Sequence, residues 1–111
     1  MLNLEVFKQR IFSKEKMRKV NLFETSNFFC DLYCLVPGQS QKPHKHDEAD
    51  KIYYVLEGEA IIQVGKEEQV CSAGQMVLAP AGEEHGVRNG GRGNLTLLVI
   101  MAPNPNVRKT S

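Results

Sequence analysis

The stretch GQMVLAPAGEEHGVRN at residues 74–89 decides the fold. It holds two short apolar runs separated by a turn that contains Pro80 and Gly82. Proline fixes its own φ and ends a strand, while glycine tolerates the unusual backbone angles of a close corner. The stretch therefore predicts two short strands joined at a corner, and the proline turn aims the following histidine, His85.

The same pattern continues outward on both sides of this stretch. From Phe28 to Met101, short apolar runs alternate with turn residues, and helical periodicity is largely absent. Such a pattern is typical of an antiparallel sandwich or barrel. We therefore expect an all-β chain that forms a single antiparallel β-barrel. The predicted strands span residues 28–36, 51–56, 60–64, 68–71, 75–79, 86–88 and 95–101.

The two ends of the chain differ from this pattern. The polar N-terminal segment is predicted to hold an early strand at residues 4–7 and one helical turn at residues 14–17 that Ser13 caps. After the last strand, Pro103 cannot donate a hydrogen bond to a sheet, so an irregular tail is expected. The predicted organisation is an N-terminal extension at residues 1–27 that packs on the barrel or on a partner, a barrel at residues 28–102, and a tail at residues 103–111.

Length and composition limit the classes of function. A chain of 111 residues has room for one domain, and 41% hydrophobic with 24% charged residues is the balance of a soluble globular protein. The net charge of +1 gives no support to nucleic-acid or membrane-surface binding, because both usually rely on concentrated basic charge. The sequence has neither a basic leader before a long apolar run nor the roughly 20 apolar residues of a membrane span. We therefore expect a cytoplasmic protein that binds neither nucleic acid nor membranes.

The three cysteines are predicted to be core residues. An odd number argues against a secreted disulfide framework. Cys30 and Cys34 would lie about 13 Å apart on an extended strand, which is too far for a disulfide. Because the sequence has no Cys-x-x-Cys pair, the expected role is that of small apolar core fillers.

The three histidines fall into two groups, with His44 and His46 in one and His85 in the other. Residues i and i+2 of an extended strand project to the same side, about 6 to 7 Å apart at their Cα atoms, so the first pair can converge on one ion. His85 can supply a third nitrogen if the strands fold back across the barrel. The alternative is that all three histidines only satisfy local hydrogen bonds.

The residues around these histidines resemble the two signature motifs of the cupin superfamily. The first motif is carried by Gly38, His44, His46 and Gly58, and the second by Gly74, Pro80, Gly82, His85 and Asn89. The second motif matches at every signature position. The resemblance implies a small single-domain cupin with a jelly-roll, or double-stranded β-helix, fold. It further implies a homodimer and one divalent transition metal, Fe, Mn, Ni or Zn, held by His44, His46 and His85.

The sequence departs from the cupin pattern at Lys51, because cupins of this type usually place a glutamate ligand there. A divalent cation repels a protonated ammonium, so Lys51 must swing away, become neutral or sit beside an anion bound at the metal. The alternative is that its head reaches solvent at the barrel mouth. Asp50 satisfies the shorter allowed spacing from His46 and becomes a fourth metal ligand if a bulge turns its side chain inward.

Two classes of function remain open. Three neutral imidazoles leave the full charge of the ion in place, so a small carboxylate or other oxyanion is the expected partner. In a metal-dependent oxidoreductase, dioxygenase, isomerase or lyase, the candidate catalytic residues are Lys51 and Tyr53, which share one side of a predicted strand. The alternative is a non-catalytic small-ligand-binding or structural dimeric barrel. Turnover of the anion separates the two classes.

Overall fold

The computed structural model describes residues 1–107, and most of the regular structure is β-strand. A short 3-10 helix (Val6–Gln9) precedes the strands, and the described residues include no helix with the length and apolar character needed to cross a membrane. In chain order the strands are β1 (Arg18–Glu24), β2 (Phe29–Leu35), β3 (Ser40–His44), β4 (Asp50–Glu57), β5 (Glu59–Val64), β6 (Glu67–Ser72), β7 (Met76–Ala79), β8 (His85–Arg88) and β9 (Leu95–Ala102).

Two antiparallel sheets form the barrel. One sheet has five strands in the order β1-β2-β9-β4-β7, and the other has four strands in the order β3-β8-β5-β6. Several neighbours in these sheets are far apart in the chain, since β9 lies between β2 and β4, and β8 lies between β3 and β5. This is a jelly-roll, or double-stranded β-helix, arrangement, so the predicted all-β fold is confirmed.

The core lies between the two sheets. On β4, Lys51, Tyr53 and Val55 are buried while the residues between them are partly exposed. This alternation arises because successive residues of a strand point to opposite faces of the sheet. Tyr53 and Val55 pack in one cluster with Ile62 of β5 and Leu97 of β9. The three cysteines are free and buried, which confirms their predicted role as core residues.

The predicted strands between residues 28 and 101 are confirmed, and their ends differ from the structure by at most one residue. The predicted strands do not include β1 or β3. The sequence of β3 is SQKPH, which is mostly polar, and it becomes a strand by pairing with β8. Long-range pairing of this kind leaves no local apolar signal.

The N-terminal segment differs from its prediction. The strand expected at residues 4–7 is wrong, since Val6–Gln9 form the 3-10 helix. The helical turn expected at residues 14–17 is also wrong: residues 14–16 form a bend, in which the Glu15 amide donates to Ser13 Oγ over 3.2 Å. β1 follows directly and pairs with β2. The boundary of the barrel at residue 28 stays a prediction, and residues 108–111 of the predicted tail lie outside the described residues.

Two glycines bring the two histidine groups together. Gly82 has a φ of 85°, and its N–H donates to the His46 carbonyl oxygen over 2.8 Å. Gly86 of β8 lies so close to β3 that an added Cβ would come within 3.1 Å of the backbone of Gln41 and Pro43. A side chain at this position would push the two strands apart by a few tenths of an ångström, so glycine favours the close approach. The end of β3 therefore lies against the start of β8, where His85 is located.

Candidate functional site

The three histidines lie at or next to the facing ends of β3 and β8. His44 is the last residue of β3 and the direct cross-strand partner of His85, the first residue of β8. His46 follows two residues later, in the loop after β3 rather than on the strand itself. The expected fold-back that brings His85 to the other two histidines is therefore present, and it arises from antiparallel pairing.

The histidine rings lie close to one another. The ring centroids are 4.5 Å apart for His44 and His85, 5.1 Å for His44 and His46, and 5.7 Å for His46 and His85. One ring nitrogen from each residue lies within 4.8 Å of those of the other two. Three imidazole nitrogens this close together match the donor set of many transition-metal sites.

Backbone carbonyls orient two of the rings. The Nδ1 atom of His85 lies 3.1 Å from the carbonyl oxygen of Glu83, and Nδ1 of His44 lies 3.0 Å from that of Lys42. A carbonyl oxygen only accepts, so Nδ1 carries the proton in each neutral ring and Nε2 keeps its lone pair. This is the usual outer support of a metal-binding histidine.

His85 carries an unsatisfied buried atom. The residue is 1% exposed, and its Nε2 has no hydrogen-bond partner among residues 1–107. A buried acceptor without a partner is costly, and native structures usually provide one. A divalent transition metal bound by the three rings would satisfy this lone pair, so the residues fit such an ion.

The surroundings of the three histidines favour the neutral imidazole. Burial, followed by the charge of Lys51, lowers the pKa of His85 to about 4. Burial also lowers the pKa of His44 and of His46. Because a metal binds the neutral imidazole, this environment favours the form that acts as a ligand.

Lys51 points into the barrel next to the histidines. It is 1% exposed, and its Nζ donates to Tyr33 Oη over 3.2 Å and to Gln41 Oε1 over 3.1 Å. Nζ also lies 5.1 Å from the Tyr33 ring centroid and 4.9 Å from that of Tyr53, within the range of cation–π contacts. The alternative in which the lysine head reaches solvent is therefore wrong.

The environment of Lys51 favours the neutral amine. Burial, together with a smaller effect of the positive charge of Lys19, lowers its pKa to about 7, while the carboxylate of Asp31 acts in the opposite direction. Near pH 7 the group is thus divided between amine and ammonium. An anion that entered beside it would favour the ammonium.

Tyr53 is fully buried in the core, and its ring centroid lies 6.2 Å from that of His85. Its hydroxyl has no hydrogen-bond partner in the described part of the chain. Burial, with a smaller effect of Tyr33, raises the pKa of the Tyr53 phenol. Tyr53 therefore packs in the core and also carries a hydroxyl that is available as a donor.

A cavity of about 220 Å³ adjoins this group of residues. Its walls include His44, His46, Lys51, Tyr33 and Gln41. Sequence reasoning identifies the histidines and Lys51 but misses Tyr33 and Gln41. No local signal marks these two residues, because they lie on β2 and β3 and reach Lys51 only through tertiary packing.

Asp50 lies apart from the histidine nitrogens. Its exposed side chain accepts a hydrogen bond from the Ala81 backbone N–H over 2.9 Å. Within residues 1–107, the group of side chains close enough to share one ion consists of His44, His46 and His85. The carboxylate of Asp50 thus stabilises the turn around Ala81 that precedes His85.

Known proteins resemble this chain in both sequence and structure. The model of the cupin domain family matches residues 31–101. The oxalate-binding protein of Thermotoga maritima is 32% identical over 98 residues, which are 87% of this chain and 75% of that protein. A crystal structure of a Thermus thermophilus protein is 43% identical, covers 95% of this chain and 100% of its own, and superposes with a TM-score of 0.92. An RmlC-like cupin protein of Desulfovibrio desulfuricans is 25% identical, covers 94% and 98%, and has a TM-score of 0.83. This protein belongs to the cupin family.

Proposed function

We propose that this protein is a metal-binding cupin in which His44, His46 and His85 hold one divalent transition-metal ion beside a pocket for a small carboxylate. The observation that carries the proposal is the convergence of three neutral imidazoles around the buried Nε2 of His85, which lacks a partner within the described residues. When bound there, the ion supplies positive charge that attracts anionic oxygens. Fe, Mn, Ni and Zn are the candidate ions.

Lys51 is the proposed second contact for the anion. An ammonium has three N–H donors, and those of Lys51 include one directed to Tyr33 and one to Gln41. The third donor can contact a ligand in the cavity that Lys51 shares with His44 and His46. A small dicarboxylate suits this arrangement, because one end can face the histidines and the other end the lysine. The oxalate-binding relative supports the same ligand class.

The second candidate function is catalysis on the same anion. The observation that favours it is the pKa of about 7 at Lys51, since general acid–base catalysis is most effective when the pKa lies near the working pH. Lys51 would then move a proton at Nζ, and the Tyr53 hydroxyl would donate to the substrate. Conversion of the bound carboxylate by the metal-loaded protein would favour this function over simple binding.

The first experiment is elemental analysis of untagged protein purified without chelator, together with the double variant His46→Ala, His85→Ala. We expect nearly one transition-metal ion per chain in the wild type and almost none in the variant. Absence of metal from both proteins, even after reconstitution with Fe, Mn, Ni and Zn, would overturn the proposed metal site.

The second experiment measures oxalate binding by calorimetry for wild type, Lys51→Met and the control Lys66→Met. The side chain of Lys66 is exposed in the β5–β6 turn. Loss of binding in Lys51→Met alone supports the anion contact, and equal binding by all three contradicts it.

We also propose that the chain forms a homodimer. β1 is the edge strand of the five-stranded sheet and can pair with a second copy. The N-terminal segment before it carries the exposed apolar side chains of Phe7 and Ile11. Light scattering should give the mass of a dimer for the wild type and of a monomer for Phe7→Ser, Ile11→Ser. The control Leu78→Ser, which alters an exposed apolar residue at the opposite edge, should remain dimeric. A wild type with the mass of one chain would overturn this proposal.

A further inference from the structure

The segment after β9 contributes to the wall of the histidine cavity. Pro105 and Asn106 line the cavity of about 220 Å³ together with His44, His46 and Lys51. We refer to residues 105–106 as the tail wall. The candidate metal ligands come from β3, the loop after it and β8, so the tail wall belongs to a different part of the chain from those ligands.

A second cavity, of about 590 Å³, lies on the other side of the tail wall. Its lining includes Lys45, Ala49, Asn104 and Val107. His46 and Pro105 line both cavities. Pro105 and His46 therefore lie between a small compartment that contains Lys51 and a larger compartment that is lined by the loop after β3.

Asn104 fixes the tail wall to the end of β1, which lies two strands from β9 at the same end of the sheet. It is 4% exposed, and its Nδ2 donates to Glu24 Oε2 over 3.0 Å and to the Thr25 carbonyl oxygen over 2.9 Å. Its Oδ1 accepts from the Asn106 N–H over 2.9 Å. Both N–H donors and the carbonyl oxygen of this buried amide thus have partners, which fixes its position. One side chain connects the end of β1 with the tail wall.

We propose that Asn104 is a positioning residue that sets the largest anion the site accepts. This inference rests on the proposed function. A ligand pocket for a drug-sized molecule usually has about 300 Å³ or more, so the histidine compartment suits a much smaller molecule. Loss of the Asn104 contacts frees Pro105 and Asn106, and the two compartments then merge. Longer dicarboxylates can then enter the merged cavity, whereas oxalate is less completely surrounded by the cavity walls.

The test uses the full chain reconstituted with Mn²⁺ and compares oxalate, succinate and glutarate by calorimetry. The variants are Asn104→Ala and the nearly isosteric Asn104→Asp, whose carboxylate faces Glu24. The control Gln75→Ala removes an amide that accepts from the Ser72 N–H in the β6–β7 turn and lines neither cavity. We expect the ratio of oxalate affinity to glutarate affinity to fall roughly tenfold or more in both Asn104 variants, which is the usual scale of discrimination by pocket size. The same ratio should stay unchanged in the control. Affinity for Mn²⁺ should not change, because β3, the loop after it and β8 supply the ligands. An unchanged preference in a folded Asn104 variant would overturn the proposal.

A second readout does not depend on anion binding. His46 borders both compartments, so freeing the tail wall should increase the rate at which diethylpyrocarbonate modifies it in the metal-free protein. Peptide mass spectrometry should show faster modification of His46 in Asn104→Ala and Asn104→Asp than in wild type and Gln75→Ala. If no dicarboxylate binds the wild type, the proposed anion pocket fails, and the reactivity of His46 still decides the role of Asn104. Equal rates in all four proteins would overturn that role.

Discussion

His44 and His85 are direct cross-strand partners at the facing ends of β3 and β8, and their ring centroids lie 4.5 Å apart. The register of this strand pair therefore determines the geometry of the candidate metal site. A one-residue slip in an antiparallel pair turns every side chain to the opposite face. Gly86, which follows His85 directly, allows the two strands to approach closely. Metal binding should consequently depend on strand packing as well as on the ligands themselves.

Removal of His85 should abolish tight metal binding. Loss of an outer support of a metal ligand alone costs about 10-fold to 100-fold in affinity, so we expect His85→Ala to weaken Zn²⁺ binding by at least about 100-fold. Competition with a fluorescent chelator measures the change. Val87→Ala, which truncates another buried side chain of β8, should bind Zn²⁺ like the wild type. Similar losses in both variants would point to damage to the strand rather than to a lost ligand.

Gly86→Ala should disturb the same metal site indirectly, through the packing of β3 against β8. The new Cβ would come within 3.1 Å of backbone atoms of Gln41 and Pro43, so β3 must shift away from β8. Overpacking of this kind costs about 1–3 kcal/mol of unfolding free energy. Urea unfolding should show this loss, and metal affinity should fall with it. Gly93→Ala is the matched control, because an added Cβ there meets nothing within 4 Å. A neutral effect of Gly86→Ala would contradict the close strand approach.

Lys51→Met should stabilise the metal-free protein near pH 7. Burial of an amine is unfavourable, and an apolar side chain of similar length should raise the unfolding free energy by about 1–3 kcal/mol.

The same substitution should change the pH dependence of stability. The pKa of Lys51 falls from 10.5 in the unfolded chain to about 7 in the folded protein. The unfolded chain therefore binds more protons between these values, and wild-type stability rises as the pH increases from 7 to 10.5. The advantage of Lys51→Met over the wild type should shrink across this interval in urea titrations. A constant difference would mean that Lys51 does not titrate as described.

Anion binding should weaken as the pH rises above 7. The titratable groups that interact with Lys51 are Lys19, Asp31, Tyr33, Tyr53, His44, His46 and His85. Because the ammonium is the form that contacts a carboxylate, binding above pH 7 requires uptake of one proton, and affinity should fall by up to about tenfold per pH unit. A nearby divalent ion lowers the pKa further, so the decline begins at or below pH 7 in the metal-loaded protein. Oxalate calorimetry from pH 5.5 to 8.5 measures this slope. Lys51→Met should give a flatter profile, and identical profiles would exclude Lys51 as the contact.

The sequence by itself determined the barrel and the identity of the metal-site candidates. Pro80 and Gly82 mark the corner before His85, and the alternation of apolar residues marks most strands, because turn chemistry and side-chain alternation are local properties. The placement of Lys51 on the inward face of β4 follows from the same alternation. Local patterns of this kind can be read without knowledge of any distant partner.

Tertiary structure alone decided which groups surround those candidates. β3 becomes a strand through pairing with β8, and its sequence, SQKPH, carries no local apolar pattern that predicts it. Tyr33 and Gln41 contact Lys51, which lies at least 10 residues away in the chain, and Asn104 contacts Glu24 across 80 residues. Such contacts depend on how the strands are ordered in the two sheets. Sequence spacing carries no record of that order, because it results from the packing of the whole core.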